Sequence, residues 1–257
     1  YNTALSLTNN GTVYTTAAGT TIKGIAFAPQ VVSAPVVSVN TTGFTGAFGN
    51  VNVGSSSSST SYTVSGTNLT ANLVVTPPAG GFEIRTGVNA FSTNPITLAP
   101  LNGSVSSTNI DVRFTPSAAG LQSGNITNAS SGATTQNVAV SGTGITAPTI
   151  QDSQVAFTNV QPTSFTVGWT NGNGTGHVVK LNTAASFTAP LNGTEPTGNT
   201  VWSGSEQVIY RGIGNSVSVT NLVPNTTYWV EVYGYNNSGT NTLYNTSTAT
   251  NNPTSQP

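Results

Sequence analysis

The stretch Asn221–Gly239, NLVPNTTYWVEVYGYNNSG, decides the fold of the C-terminal half of the chain. It predicts a turn, a strand and a second turn, because Pro and Asn flank a run of aromatic and β-branched residues. Residues two apart on a strand face the same side of a sheet, so one set of side chains in this strand is expected to face a core. That inward set is Tyr228, Val230, Val232 and Gly234.

The composition predicts a folded β protein with an almost uncharged surface. Only 4% of the 257 residues are charged, against about 25% in an average soluble protein, so Thr, Ser, Asn and Gly must form the surface. Val, Ile, Thr, Tyr and Phe recur throughout, which is unusual for a disordered chain. Alternation with period two, interrupted by turn signals roughly every 8–12 residues, is typical of antiparallel sandwiches.

Turn-rich segments divide the chain into three blocks. Residues 1–30 contain short alternating strands and are too few to bury a core of their own. Residues 31–146 and residues 148–257 each have the length and the strand pattern of a sandwich. The predicted fold class is therefore all-β, with two antiparallel β-sandwiches in tandem, preceded by a short strand-rich segment.

The middle block carries its pattern in FGNVNVGSSSSSTSYTVSGTNL, GFEIRTG, VRFTPSAAGLQSGNIT and VAVSGTG. These pieces, in this order, resemble the immunoglobulin-like modules, related to the ASH/HYDIN type, of large secreted bacterial (Bacteroidetes-like) surface proteins. In its segment NIDVRFTP, Ile110, Val112 and Phe114 share one face of a strand, which we expect in the core. Asp111 and Arg113 share the other face, which we expect toward solvent.

The C-terminal block resembles a fibronectin type III domain. The resemblance rests on a tryptophan in an early strand, PTSFTVGWT, and on a Leu-x-Pro-x-Thr-x-Tyr element that leads into the strand quoted first. The matching residues are Trp169, Leu222, Pro224, Thr226 and Tyr228. The resemblance implies that Trp169 and Tyr228 are buried and that the Tyr228 hydroxyl bonds to backbone a few residues upstream, as a tyrosine corner does.

An insertion and an outward row of aromatic residues are the unusual features of this block. The insertion, ASFTAPLNGTEPTGNTVWSG, predicts an extended loop or an extra edge hairpin near Trp202. The outward face of the 228–235 strand carries Trp229, Tyr233 and Tyr235. Exposed aromatic rings stack on sugars or bury a partner, so these three are the candidate contacts for a partner or a glycan. Alternatively, they cover a neighbouring strand or the insertion.

The chain offers few side chains for catalysis, with six acids, one histidine and no cysteine. Glu195 and Glu206 could pair as glycosidase carboxylates do, but the sequence around them indicates exposed loop or edge positions. His177 has no acidic neighbour in sequence, neither Asp111 nor Asp152 lies in a hydrolase motif, and no G-x-S-x-G occurs. We therefore predict no catalytic, cofactor-binding or metal-binding residues, no cofactor, and no enzymatic activity, with His177 at a loop–strand junction.

Charge and hydropathy narrow the classes of partner. The net charge is −1 and no basic stripe is present, so nucleic acid is not expected as a partner. No run of eighteen or more apolar residues occurs, so membrane insertion is not expected. The Asn, Thr, Ser and Gly bias favours a secreted protein or one on a bacterial cell surface. The chain begins with Tyr1 rather than Met, so we expect a piece of a longer protein.

These observations favour a non-catalytic extracellular structural, spacer or adhesion module of a secreted or cell-surface protein. Two alternatives stay open. The first is a subunit of an extracellular filament, assembled by β-strand complementation through residues 1–30. The second is a set of accessory domains of a secreted polysaccharide hydrolase. The expected partners are other domains of the same protein or neighbouring subunits through β-strand pairing, and surface glycans.

Overall fold

The computed structural model describes residues 33–257. The predicted strand-rich segment, residues 1–30, lies outside the described residues. The described part is all-β, with no α-helix among its elements and one short 3₁₀ turn at Gly239–Asn241. The predicted fold class is confirmed, while the residue bounds of the domains stay predictions.

The first sandwich contains a four-stranded sheet in the order β1-β3-β7-β5 and a five-stranded sheet in the order β2-β9-β8-β4-β6. Its strands are β1 (Val36–Asn40), β2 (Ala47–Asn52), β3 (Thr60–Thr67), β4 (Leu73–Thr76), β5 (Phe82–Arg85), β6 (Ile96–Leu98), β7 (Val105–Phe114), β8 (Gly120–Ala129) and β9 (Gln136–Ile145).

One pairing in the first sandwich departs from the antiparallel prediction. β2 runs parallel to β9, with Val51 beside Gly144 and Asn52 beside Ile145. The other paired strands of this sandwich are antiparallel. Parallel strands cannot be joined by a tight turn, so a pairing between segments this far apart leaves no local signal in the sequence.

The core of the first sandwich lies between the two sheets, where the alternation of β7 directs Ile110, Val112 and Phe114 inward. All three are fully buried, as predicted, and Phe114 packs at 4.9 Å, centroid to centroid, against the ring of Phe82. A Cβ atom on Gly142 would stand 2.5 Å from the Phe114 ring. Glycine is therefore required where β9 crosses this ring.

The second sandwich contains a three-stranded sheet in the order β10-β11-β14 and a sheet in the order β13-β12-β15-β16, in which β17 also pairs with β15. Its strands are β10 (Ser153–Gln161), β11 (Ser164–Thr170), β12 (Gly176–Asn182), β13 (Gln207–Gly212), β14 (Ser216–Thr220), β15 (Tyr228–Asn236), β16 (Leu243–Tyr244) and β17 (Thr254–Gln256).

The core of the second sandwich is built around Trp169 and Tyr228. Trp169 is 5% exposed and Tyr228 is 3% exposed, as predicted. The Val223 N–H donates a 2.8 Å hydrogen bond to the Tyr228 hydroxyl, so the predicted tyrosine corner is confirmed, with the hydroxyl as acceptor. Asn221 and Asn225 adopt positive φ angles of 62° and 58°, which Asn tolerates better than most residues. The turn signals read from the sequence therefore mark real turns.

Candidate functional site

The insertion between β12 and β13 forms an extended loop over the second sandwich. We call residues 185–204 the strap. The Asn199 N–H donates to the Val208 carbonyl of β13 (2.9 Å), and the Trp202 N–H donates to the Thr220 carbonyl of β14 (2.9 Å). Trp202 itself is buried in the core. Since β13 and β14 belong to different sheets, the strap bridges the edges of both.

The strap also covers a small aromatic layer on the outer face of the β12–β15 sheet. The layer consists of Val178, Tyr233, Tyr235 and Tyr244, with Val208 packed against it. The Tyr244 hydroxyl donates to the Thr194 carbonyl of the strap (2.8 Å). The Tyr244 N–H donates to the Asn192 side-chain oxygen (2.9 Å). The outer face of this sheet is thus a second buried surface, which explains why β12 and β15 are buried on both faces.

The ring of Tyr235 packs against Gly176 and Arg211. A Cβ atom on Gly176 would stand 2.3 Å from Cζ of this ring, so only glycine fits beside it. The guanidinium carbon of Arg211 lies 4.8 Å from the ring centroid, which is within the range of a cation–π interaction. The fixed ring shows that the aromatic layer is a packed core and not an open platform.

The structure favours the second of the two interpretations given above for this aromatic row. Tyr233 is 2% exposed and Tyr235 is 7% exposed, so these two rings cover neighbouring parts of the chain and do not form an exposed contact surface. The reason is long-range: the strap folds back over the face that alternation alone directs toward solvent. Trp229 is half-buried. Within residues 33–257, every Phe, Tyr and Trp is at least partly buried.

The two carboxylates considered as a catalytic pair instead anchor the strap region. Glu195 lies 2.5 Å from Arg211 and accepts a 2.8 Å hydrogen bond from the Gly239 N–H. This backbone hydrogen bond, together with the positive charge of Arg211, lowers the pKa of Glu195. Glu206 lies 2.7 Å from Lys180. Each carboxylate is thus held by its own cation, an arrangement that fastens strands and loops.

A buried polar pair, Asp152 and His177, was missed by the sequence analysis. His177 lies at the start of β12, as predicted, and its Nδ1 is 2.9 Å from Asp152 Oδ2. Both side chains are almost fully buried. The other oxygen of Asp152 accepts from the Gly172 N–H (2.8 Å), and the Asp152 carbonyl accepts from the Asn252 side chain (2.8 Å). The two residues are far apart in sequence and in no shared motif, so no local signal could have paired them.

Gln151 extends this network between chain segments. Its side-chain oxygen accepts from the Gly234 N–H of β15 (2.9 Å), and its side-chain nitrogen donates to the Asn245 carbonyl (2.7 Å). A buried His–Asp pair supplies two of the three residues of a hydrolase triad, but a substrate must reach the imidazole for that chemistry. Here the pair lies inside a satisfied network that fastens the start of the sandwich to its last strands. Among the described residues, no three His, Cys, Asp or Glu side chains form a group able to hold a metal ion.

The first sandwich carries a separate charged cluster on its outer β5–β7 face. Arg85 pairs with Asp111 at 2.9 Å, and Arg113 pairs with Glu83 at 2.6 Å. The ring of Phe91 lies 4.3 Å from one guanidinium carbon and 4.4 Å from the other. Asp111 and Arg113 therefore lie on the outer face, as predicted, but as half-buried members of cross-strand ion pairs.

Comparison with protein families gives one match. Residues 146–250 match the fibronectin type III domain, so this region is a fibronectin type III domain. A comparison with curated proteins gives no significant match. In the described residues, no helix is long and apolar enough to cross a membrane.

A comparison with solved structures finds matches to multidomain fragments. A three-domain fragment of titin is 14% identical, with a TM-score of 0.41, and the match covers 86% of this chain and 66% of that one. The FN1–FN3 domains of chicken CNTN1 are 14% identical, with a TM-score of 0.36, and the match covers 82% of this chain and 65% of that one. A two-domain segment of chicken tenascin is 13% identical, with a TM-score of 0.27, and the match covers 73% of this chain and 91% of that one. The chain thus spans just under two thirds of the length of the titin and CNTN1 fragments.

Proposed function

We propose that this chain is a non-catalytic structural or adhesion module of a secreted or cell-surface protein. Immunoglobulin-like and fibronectin type III domains are typical of such modules, although a fold alone does not fix a function. Support for the proposal therefore has to come from what the side chains of this chain do.

The observation that carries the proposal is that the charged side chains form ion pairs within the chain. All four Lys and Arg residues within residues 33–257 pair with an acidic side chain of the same chain. These pairs are Arg85–Asp111, Arg113–Glu83, Lys180–Glu206 and Arg211–Glu195. The groups that an enzyme would direct at a substrate instead join neighbouring strands and hold the strap.

This arrangement also supports a proposal about partners. With these four cations paired internally, the surface of residues 33–257 offers mainly hydroxyl, amide and backbone groups. Its partners would be other domains of the same protein, neighbouring subunits or surface glycans, recognised through hydrogen bonds and shape. Such contacts depend little on ionic strength, because long-range charge attraction contributes little to them. The same neutral, Asn- and Thr-rich composition supports a secreted or cell-surface location.

The proposal is tested by pulling single molecules of the full chain between two handles. A tandem structural module should give two separate unfolding events. Each should release about 100–110 residues, which is roughly 350–400 Å of extended chain at the usual length per residue. In parallel, the chain should show only background rates against polysaccharides, esters and peptides. Turnover that disappears in Glu195→Gln or Glu206→Gln would overturn the non-catalytic assignment.

A further inference from the structure

Lys180 and Glu206 form a close pair at the base of the strap. Lys180 Nζ lies 2.7 Å from Glu206 Oε1, and the two side chains are only 12% and 24% exposed. Thr188 of the strap contacts both partners. Its carbonyl accepts from Lys180 Nζ, and its N–H donates to both carboxylate oxygens of Glu206 at 3.1 and 3.2 Å. The strap thus clamps an amine against a carboxyl group.

A second carboxyl group lies beside this pair. Glu231 is the direct cross-strand neighbour of Lys180 in the β12–β15 register, and it is 9% exposed. The Tyr233 hydroxyl donates to one of its oxygens at 2.6 Å. Burial raises the pKa of Glu231 above its usual range, so this carboxyl tends to keep its proton when an exposed glutamate would lose it. The site therefore holds an amine, a carboxyl and a proton donor together.

We propose that Lys180 and Glu206 join in an intramolecular amide bond, with Glu231 relaying the protons.

The reaction balances without any external reagent. Glu231 donates its proton to a carboxylate oxygen of Glu206 and then accepts one from the Lys180 ammonium, which leaves a neutral amine facing a neutral carboxyl. The Nζ lone pair attacks Cδ of Glu206, and the C–N bond forms. The C–O bond to the protonated oxygen then breaks, a second Nζ proton reaches that oxygen through Glu231, and water leaves. The ammonium and the carboxylate thus become one amide and one water molecule, with no change in oxidation state.

The three arginine–carboxylate pairs of the described residues cannot react in this way. They use the guanidinium groups of Arg85, Arg113 and Arg211, and a guanidinium is not deprotonated in proteins. Lysine differs because its ammonium can give up a proton, and the neutral amine is a nucleophile. Holding two reacting groups in contact replaces an encounter between separate molecules, which is a large part of many rate enhancements. Among the four cation–carboxylate pairs, the chemistry therefore selects Lys180–Glu206.

The bond would close the base of the strap. It would connect β12 directly to the residue before β13 and enclose residues 181–205. Under tension, force would pass through the amide, and the enclosed residues would not extend. In the pulling experiment, the second sandwich would then release about 25 fewer residues, which is roughly 80–90 Å less extended chain. The mass test of the bond does not depend on the proposed function.

The test is the intact mass of the purified full chain. The wild-type chain should be lighter than its sequence mass by one water molecule. Lys180→Arg is the matched control, because it keeps the positive charge beside Glu206 but offers no reactive amine, and it should have the full mass. Glu231→Gln should slow bond formation by about 10²–10⁴-fold, the usual contribution of a proton-transfer group. Tryptophan fluorescence shows whether each variant is folded.

Proteolysis gives a second readout. Trypsin cleaves after a free lysine, so the bond between residues 180 and 181 should stay uncut in the denatured wild-type chain and be cut in Lys180→Arg. A wild-type chain at its full sequence mass would overturn the proposal. So would a water deficit that persists in Lys180→Arg, because the loss would then arise elsewhere in the chain.

Discussion

Replacing Trp169 with alanine removes a nearly buried indole ring from the centre of the second sandwich. Trp169 is 5% exposed, and its ring lies 5.6 Å from Tyr210 and 6.0 Å from His177, centroid to centroid. Truncating a large core aromatic to alanine usually costs about 3–5 kcal/mol. Domains hold only about 5–15 kcal/mol of unfolding free energy, so this substitution should remove a large part of the stability of this sandwich.

A phenylalanine at the same position separates ring packing from hydrogen bonding. The indole Nε1–H is buried without a hydrogen-bond partner, and such a group costs about 1–3 kcal/mol. Trp169→Phe keeps most of the ring contacts and removes this unpaired donor, so the two effects oppose each other. We expect Trp169→Phe to change the unfolding free energy by less than about 1.5 kcal/mol.

Tryptophan fluorescence in urea measures this sandwich selectively. The chain contains three tryptophans, at positions 169, 202 and 229, so all of them belong to the second sandwich and two remain in each variant. With a denaturant slope of about 1–3 kcal/mol/M, Trp169→Ala should lower the midpoint by about 2 M. The reasoning fails if Trp169→Ala leaves the midpoint unchanged, or if Trp169→Phe is as damaging as Trp169→Ala.

Other contacts give predictions of smaller size. Tyr228→Phe leaves the Val223 N–H without its acceptor and should cost about 1–3 kcal/mol in the same urea assay; no change would show that water replaces the hydroxyl. The raised pKa of Glu231 means that the folded chain binds this proton more tightly than the unfolded chain. Its stabilising contribution is therefore complete below the usual glutamate pKa and is lost as pH rises through the raised value. As pH rises from the usual glutamate pKa through the raised pKa of Glu231, the thermal midpoint should therefore decline less in Glu231→Gln than in the wild-type chain. A variant with the wild-type pH profile would contradict this argument. Phe91→Ala removes two cation–π contacts of about 0.5–1 kcal/mol each and should lower the thermal midpoint of the first sandwich, followed by far-ultraviolet circular dichroism; an unchanged midpoint would show that the ring does not support Arg85 and Arg113.

Local alternation was sufficient to predict the two cores. Phe114, Trp169 and Tyr228 lie inside as their strand patterns indicate, because one face of each strand meets the facing sheet. The tyrosine corner was predicted from the resemblance to a fibronectin type III domain, and its hydrogen bond joins residues only five positions apart. Both features depend on short stretches of sequence and are therefore visible without the structure.

Contacts between distant segments were not predictable in the same way. The outer face of β15 alternates like a solvent-facing row, and only the path of the strap shows that Tyr233 and Tyr235 are covered. The Asp152–His177 pair joins the residue before β10 to the start of β12. Neither residue lies in a sequence motif that predicts the contact with the other. The sequence predicted an extended loop as one of two possibilities, but it contained no signal for where that loop docks.

The docking of the strap has a consequence for the order of folding. The strap makes backbone hydrogen bonds to β13 in one sheet and to β14 in the other, so both edges must be in place before it can close over them. Until then these strand edges expose unpaired N–H and C=O groups, which are ready templates for another chain. Closure of the strap is therefore a late step, and the interval before it is when a crowded, newly made chain is most prone to pair wrongly with its neighbours.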